Sequence, residues 1–288
     1  MMKLSKLICP DPDCQAENER NADICRECGH SLGFVNVNLL SDPYFQTGLA
    51  ERYKVVMAGV QVAEVQRFEA VIDQEGKAVI NMSSELLYLM VNENENYLSY
   101  QRGVEQGKII KRTFQHDRFQ CIVESAFYGF DGRNLVYAAL SLDDNGVSSY
   151  GNVSVVLKTR NIEKRSTFFE RDTFLLFDDL VEKGWKVKEI IPAGHCGTWN
   201  ERDKIAAIKH GAEIQEGHQT ADFVAIIMKN GDEKTCDEFI ELHIFNTVTP
   251  KNFEKITFQK KLTRSFDRLQ FKILKSKLSN LQVEVIEA

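Results

Sequence analysis

The chain of 288 residues is 43% hydrophobic and 27% charged, with 5 Pro and 17 Gly, which excludes wholesale disorder and collagen-like or Pro-rich repeats. No apolar run reaches the ~18 residues of a membrane helix, and the start MMKLSKLICPDPDC lacks the apolar stretch of a secretion signal, so a cytoplasmic protein with no membrane partner is expected. The net charge of −6 is unevenly spread: nine Lys/Arg face only Glu254 and Asp267 between residues 251 and 277, a local +7 that points to an anionic partner or an acidic surface.

Four of the seven cysteines lie in the first 28 residues: Cys9 and Cys14, then Cys25 and Cys28 followed by Gly29. Two close pairs on tight turns suit a tetrahedral metal with four thiolate ligands, and a segment of about 30 residues needs such a staple to fold. Cys9, Cys14, Cys25 and Cys28 are therefore the expected ligands of a structural Zn(2+) in a module of residues 1–33. All four positions are Cys, so none is left open for a catalytic water. The module carries four Lys/Arg against six Asp/Glu and does not read as a phosphate clamp.

Further along, residues 39–43 read as the end of a linker and the start of a helix, with Ser41 or Asp42 as cap and Pro43 in the first turn. Segments 67–72 and 78–82 flank a polar stretch and suggest a hairpin; Ser83-Ser84-Glu85 caps a short helix to about residue 91. Strands are expected at 97–102, 135–142, 151–158, 221–228 and 238–245, with turns at Asp131-Gly132 and Asn230-Gly231. Segment 118–127 fits helix or strand, and 200–210 has helical spacing with acid first and base last. The fold class is α+β with strands dominating, divided into the ribbon at 1–33 and one body at 34–288 that includes the basic segment 251–277.

Common enzyme signatures for phosphate loops, zinc proteases and nucleophile elbows are missing, and the neighbours His195-Cys196 read as a loop His and a small buried Cys. Three strand-borne residues remain in a suggestive order: Arg102 before Gly103 in YLSYQRG, Ser141 ending VYAALS with SSYG shortly after, and Glu241 in EFIELHI. On these residues the body resembles the ADP-ribosyltransferase superfamily of the R-S-E type. Over the first cysteines the module resembles bacterial zinc ribbons (C-x-x-C-G-x-x-L, here Cys25 to Leu32) and RanBP2-type zinc fingers, whose Asn four residues after the second Cys matches Asn18.

The resemblance implies a split β-sandwich with flanking helices and NAD as substrate. It implies Glu241 as the catalytic acid, Arg102 and Gly103 at the dinucleotide, and Ser141 (or Ser166) holding the Glu or ribose. Tyr150 would offer its ring to nicotinamide. It further implies a toxin or phage-defence effector with a macromolecular acceptor and an antitoxin-like inhibitory partner. Phe239 stands where arginine-targeting relatives carry Glu or Gln, which favours RNA or DNA over a protein acceptor. Plainer roles stand beside each assignment: Arg102 in a surface ion pair, Ser141 ending a strand, Tyr150 in the core, Glu241 on the wet side of an edge strand, and the whole chain as a zinc-ribbon interaction protein without turnover.

Overall fold

The computed structural model of the protein describes residues 5–20, 22–93, 95–107, 128, 133–186, 191–231, 235–259 and 265–287, with 265–267 by backbone alone. The expected segment 118–127 and the Asp131-Gly132 turn lie outside the described residues. No helix among the described residues is long and apolar enough to cross a membrane.

Two short strands, β1 (Leu7–Ile8) and β2 (Glu17–Asn18), pair antiparallel with the first cysteine knuckle between them, and an Ile24–Ser31 bridge frames the second. Residues 39–43 differ from the expected linker: Leu39 and Leu40 already belong to α1 (Val35–Leu40), which buries Val35, Leu39 and Leu40. Helix α2 (Pro43–Met57) starts where expected, with Asp42 accepting from the Tyr44 amide at 2.8 Å and Pro43 needing no amide partner. Asp42 also ties the ribbon down. Ser5 donates to its Oδ2 through both amide (2.7 Å) and hydroxyl (2.6 Å), and Arg20 stands 3.4 Å away. Burial works to raise the Asp42 carboxyl, but these donors and the Arg20 charge outweigh it and hold it below its usual value.

The expected hairpin at 67–82 is half helix. Val65, Phe68 and Ile72 fall on one helical face and build α3 (Val62–Glu75), so only β3 (Lys77–Met82) is a strand. Helix α4 (Ser84–Asn92) follows with Ser83 as cap. The strand expected at 97–102 is also corrected. Ser99 Oγ accepts from the Arg102 amide at 3.2 Å and caps α5 (Tyr100–Glu105), leaving Tyr97 in a single bridge with Val248.

Strands β4 (Leu135–Ser141) and β5 (Val153–Leu157) lie where expected; α6 (Thr159–Ile162), β6 (Ser166–Phe169), α7 (Thr173–Glu182) and β7 (Cys196–Thr198) follow. The helix expected at 200–210 is α8 (Arg202–His210). Residues 221–227 are helical, not extended: α9 (Thr220–Ile227) starts on a reciprocal Gln219–Asp222 cap and buries Phe223 and Ile227, four residues apart. The late strand is shorter than expected, β8 (Glu241–Phe245), and the chain ends with β9 (Phe253–Phe258), α10 (Ser265–Ser279) and β10 (Glu284–Glu287).

The eight larger strands form one sheet in the order β10-β9-β5-β3-β4-β8-β6-β7, antiparallel except for β10 with β9. β3 pairs β4 only through Lys77, Ala78 and Val79 and meets β5 from Val79 onward, so two four-stranded halves share a short junction. One face buries Leu242, Ile244, Val136 and Leu140 against α3, α8 and α9; the other buries Leu135, Phe169 and Phe245 against α1 and α7. Asn36 of α1, fully buried, donates to the carbonyls of Arg165 and His243 at 3.0 Å each and hooks α1 onto β6 and β8.

Gly151 lies against the Met82 backbone, where a Cβ would come within 2.3 Å of the Met82 carbonyl. Gly151→Ala is expected to destabilise the protein by about 2 kcal/mol through overpacking. Thermal melts followed by circular dichroism should show a drop of roughly 4–8 °C.

Candidate functional site

The ribbon cysteines converge. The sulfurs of Cys9, Cys14, Cys25 and Cys28 all lie within 4.8 Å of one another, with Cys9–Cys28 and Cys14–Cys25 at 3.7 Å. Thiolates at ~2.3 Å from a tetrahedral ion stand about 3.8 Å apart, so the set fits a metal ion such as zinc. The amides of Cys28 and Glu27 and the Asn18 side chain point at Cys25 and, against the effect of burial, pull its thiol down to about 6. Gly29 at φ 73 makes the turn that returns its amide to the Cys25 carbonyl at 2.9 Å.

In the body, the chemistry gathers around Glu241. Its cross-strand neighbours are Ala139 of β4 and Phe169 of β6, so β8 is interior to the sheet and Glu241 is only 6% exposed. Just past Phe169, Asp172 caps α7 by accepting from the amides of Phe174 (2.8 Å) and Leu175 (3.3 Å). The next amide, Thr173, donates to Glu241 Oε2 at 2.8 Å. Both carboxyls therefore sit at the N-terminus of α7, where the helix dipole favours negative charge. That help is insufficient. Burial pushes Glu241 up to about 7 despite Thr173, and burial together with the Glu241 charge pushes Asp172 up to about 6.

His243 completes the cluster. Its Nε2 lies 3.2 Å from Glu241 Oε2 and its Nδ1 lies 2.8 Å from the Tyr128 hydroxyl. Burial drives its pKa down to about 3, so the ring is neutral and its contact with Glu241 is a hydrogen bond, not an ion pair. The consistent assignment has Tyr128 donating to Nδ1 and Nε2–H donating to Glu241. Phe169 stacks on the imidazole at 4.3 Å between centroids and Tyr137 meets it edge-on at 4.8 Å. At the surface, half-exposed Tyr150 donates to Asp172 Oδ2 at 3.4 Å.

Of the residues singled out in sequence, Glu241 and Tyr150 meet through Asp172. Ser141 lies two residues past Ala139 and so shares Glu241's face, but its hydroxyl donates to Asp143 at 2.8 Å. A cavity of about 420 Å³ opens beside that corner, lined by Asp143, Asn145, Ser148, Asn230 and the α9 side chains Ala221 and Val224. Arg102 is not brought to the cluster. It donates to Asn134 Oδ1 at 3.1–3.2 Å, five residues from Ala139 along β4, about 17 Å away at strand rise. It is also 3.6 Å from Glu105 in an exposed pair. Gly103 is buried within α5 beside it. Ser166 faces the opposite side of the sheet, with its hydroxyl on the Ile162 carbonyl at 2.8 Å. The expected wet edge for Glu241 is corrected, because β4 and β6 flank β8 on both sides.

Sequence reasoning missed Asp172 and Thr173. Their signal was an Asp-Thr pair ahead of the apolar run FLLF, a helix start that went unread. It also missed Glu170, which turns away from Asp172 to meet Arg52 (2.5 Å) and His195 Nδ1 (2.7 Å). Burial would raise Glu170, yet the hydrogen bond and charge of His195 and the charge of Arg52 hold it below its usual value. Cations make the difference between Glu170 and Glu241: among the described residues none influences Glu241. Cys196, beside His195, is buried and its thiol pushed up, as an inert core Cys would be. No protein-family model matches the chain, and no curated protein matches it in sequence.

Elemental analysis of the purified chain should find one zinc per molecule, and Cys25→Ser should lose it, since three thiols leave a tetrahedral site incomplete. For the acid cluster, Glu241→Gln keeps an acceptor for the Thr173 amide and removes the charge. The folded pKa of Glu241 lies above its ordinary 4.5, so the wild type loses stability as pH rises from there to about 7 while the variant escapes that loss. Paired denaturant melts should show the variant gaining on the wild type by on the order of 3 kcal/mol between pH 4 and pH 8. A flat difference would mean that Glu241 titrates like a surface acid.

Proposed function

We propose that the body is an NAD-dependent ADP-ribosyltransferase acting on a macromolecular acceptor, with the metal-stapled ribbon as its docking module. The observation that carries this reading is the buried carboxyl pair Glu241–Asp172, both raised toward neutrality and reached from the surface by Tyr150. Burying a carboxyl without a cation is costly, and such groups concentrate where chemistry is done. The two-halved sheet is also what a split β-sandwich would need.

In the proposed reaction the bond between ribose C1′ and nicotinamide nitrogen breaks, and nicotinamide leaves with the electron pair. Ionised Glu241 faces the positive charge that develops on the ribose. The acceptor's nucleophile then bonds C1′ and its proton passes to Glu241. Tyr150 supplies an aromatic face to the departing ring and His243 holds the Glu241 carboxylate in orientation. Arg102 has no part in this reading.

A second reading, a zinc-ribbon interaction protein without turnover, draws on the engagement of Glu241 Oε2 with both Thr173 and His243. Incubation of the full chain with labelled NAD plus RNA, DNA and lysate protein separates the two. The enzyme reading expects nicotinamide release that rises with pH through about 7, as Glu241 ionises, and falls at least 100-fold in Glu241→Gln. No release and no label transfer by wild-type protein would favour the interaction module.

A further inference from the structure

Away from the acid cluster, three segments close on one another through backbone carbonyls. The Lys158 amide donates to Asn252 O at 2.8 Å, and its ammonium reaches the carbonyls of Lys251 (3.3 Å) and Leu281 (3.5 Å). Asn161 donates to Lys251 O at 3.4 Å, and Arg165 donates to the carbonyls of Asn161 (3.0 Å) and Asn246 (3.2 Å). Residues 158–165, 246–252 and the end of α10 with the turn after it thus form one surface, although they lie up to 123 positions apart in the chain.

The charge of this surface is one-sided. It holds Lys158, Arg160, Lys164, Arg165, Lys251 and Lys277, and in residues 158–165, 246–252 and 277–283 the one acid is Glu163. A local charge of +5 thus stands on a chain of net −6. Lys158 and Arg165 are anchored to carbonyls. Arg160, Lys164, Lys251 and Lys277 are exposed, and their side chains have no hydrogen bond or ion pair with any described residue. Of the basic segment singled out in sequence, Lys251 and Lys277 belong here, Lys255 is taken up by Asp144 at 3.0 Å, and residues 260–264 lie outside the described residues.

We propose that this surface binds the phosphate backbone of a nucleic acid. Phosphate recognition uses Lys and Arg interspersed with short hydrogen-bonding side chains, and Thr159, Thr247 and Asn252 supply these. A lipid surface would call for apolar side chains beside the cations and a protein partner for aromatic anchors, and no large apolar side chain is exposed in these segments. Binding here does not depend on the proposed chemistry at Glu241, so it persists in Glu241→Gln.

The test is fluorescence anisotropy of the zinc-loaded full chain with a fluorescein-labelled 12-nucleotide single-stranded RNA, titrated between 50 and 200 mM salt. Four free cations predict a slope of log affinity against log salt of roughly −2 to −3. Reversing three of them together (Arg160→Glu, Lys164→Glu, Lys251→Glu) should weaken binding at least tenfold and flatten the slope by about 2. The Gln versions of the same three positions, with an unchanged melting temperature, should give an intermediate loss. An equal charge change elsewhere, away from the ribbon (Lys54→Glu, Lys183→Glu, Lys186→Glu), should leave affinity within about twofold, where local contacts and not net charge decide. Absence of binding at 50 mM salt overturns the proposal. So do equal losses from the surface charge-reversal triple and the control triple, and so does competition by poly-glutamate of matched charge as effective as by unlabelled RNA, which would assign the surface to an acidic protein.

Discussion

The body is organised around a carboxylate that no cation among the described residues answers. Glu241 is buried in an interior strand, and what holds it is the amide and hydroxyl of Thr173 and a neutral imidazole. In a low-dielectric interior that arrangement favours the protonated acid, and Asp172 beside it makes a second charge still less welcome. Glu170 follows the opposite course. Two residues before Asp172 in the chain, it keeps its charge because Arg52 and His195 face it. The chain can thus neutralise a buried acid with a guanidinium, and at Glu241 it does not.

The position of that acid depends on elements far from it. Asp42 joins two jobs, capping α2 and gripping Ser5 and Arg20 of the ribbon. Six residues earlier, Asn36 of α1 reaches the carbonyl of His243, the residue whose ring orients Glu241. Ribbon, α1 and β8 are therefore joined by successive hydrogen bonds, each between buried or half-buried groups whose loss would leave a partner unsatisfied. The ribbon is tied into the frame that carries the acid cluster as well as being a module with its own core of Cys9, Cys25 and Leu32.

Local chemistry was legible in the sequence and distant pairing was not. Cysteine spacing led straight to the thiol cluster, and Asp42-Pro43 and Ser83 announced two helix starts because capping is decided within four residues. Ser99 was the same kind of signal and was overlooked beneath the aromatic residues of YLSY, which suit a strand. The run FVAIIM in α9 has no period by which to choose, and its Gln219–Asp222 cap decides the matter. Glu241 stood out as a candidate, yet its burial and its bond to Thr173, 68 positions earlier, follow from β6 docking beside β8. Nothing near Glu241 in the chain encodes that neighbour. Arg102 shows the converse: its local context resembled a strand-borne ligand, and the cap at Ser99 turned it into a helix aimed at Asn134.

The order of strands in the sheet governs how the chain can be assembled as it is synthesised. β8 lies between β4 and β6, and β9 between β5 and β10, so neither half of the sheet closes until residues past 240 have left the ribosome. Contacts of such long sequence separation form slowly. The four thiols are complete by residue 28 and can chelate their ion while more than two hundred residues are still to come. The nascent body meanwhile exposes the unpaired strand edges of β4 and β5, the window in which a chaperone has most to protect.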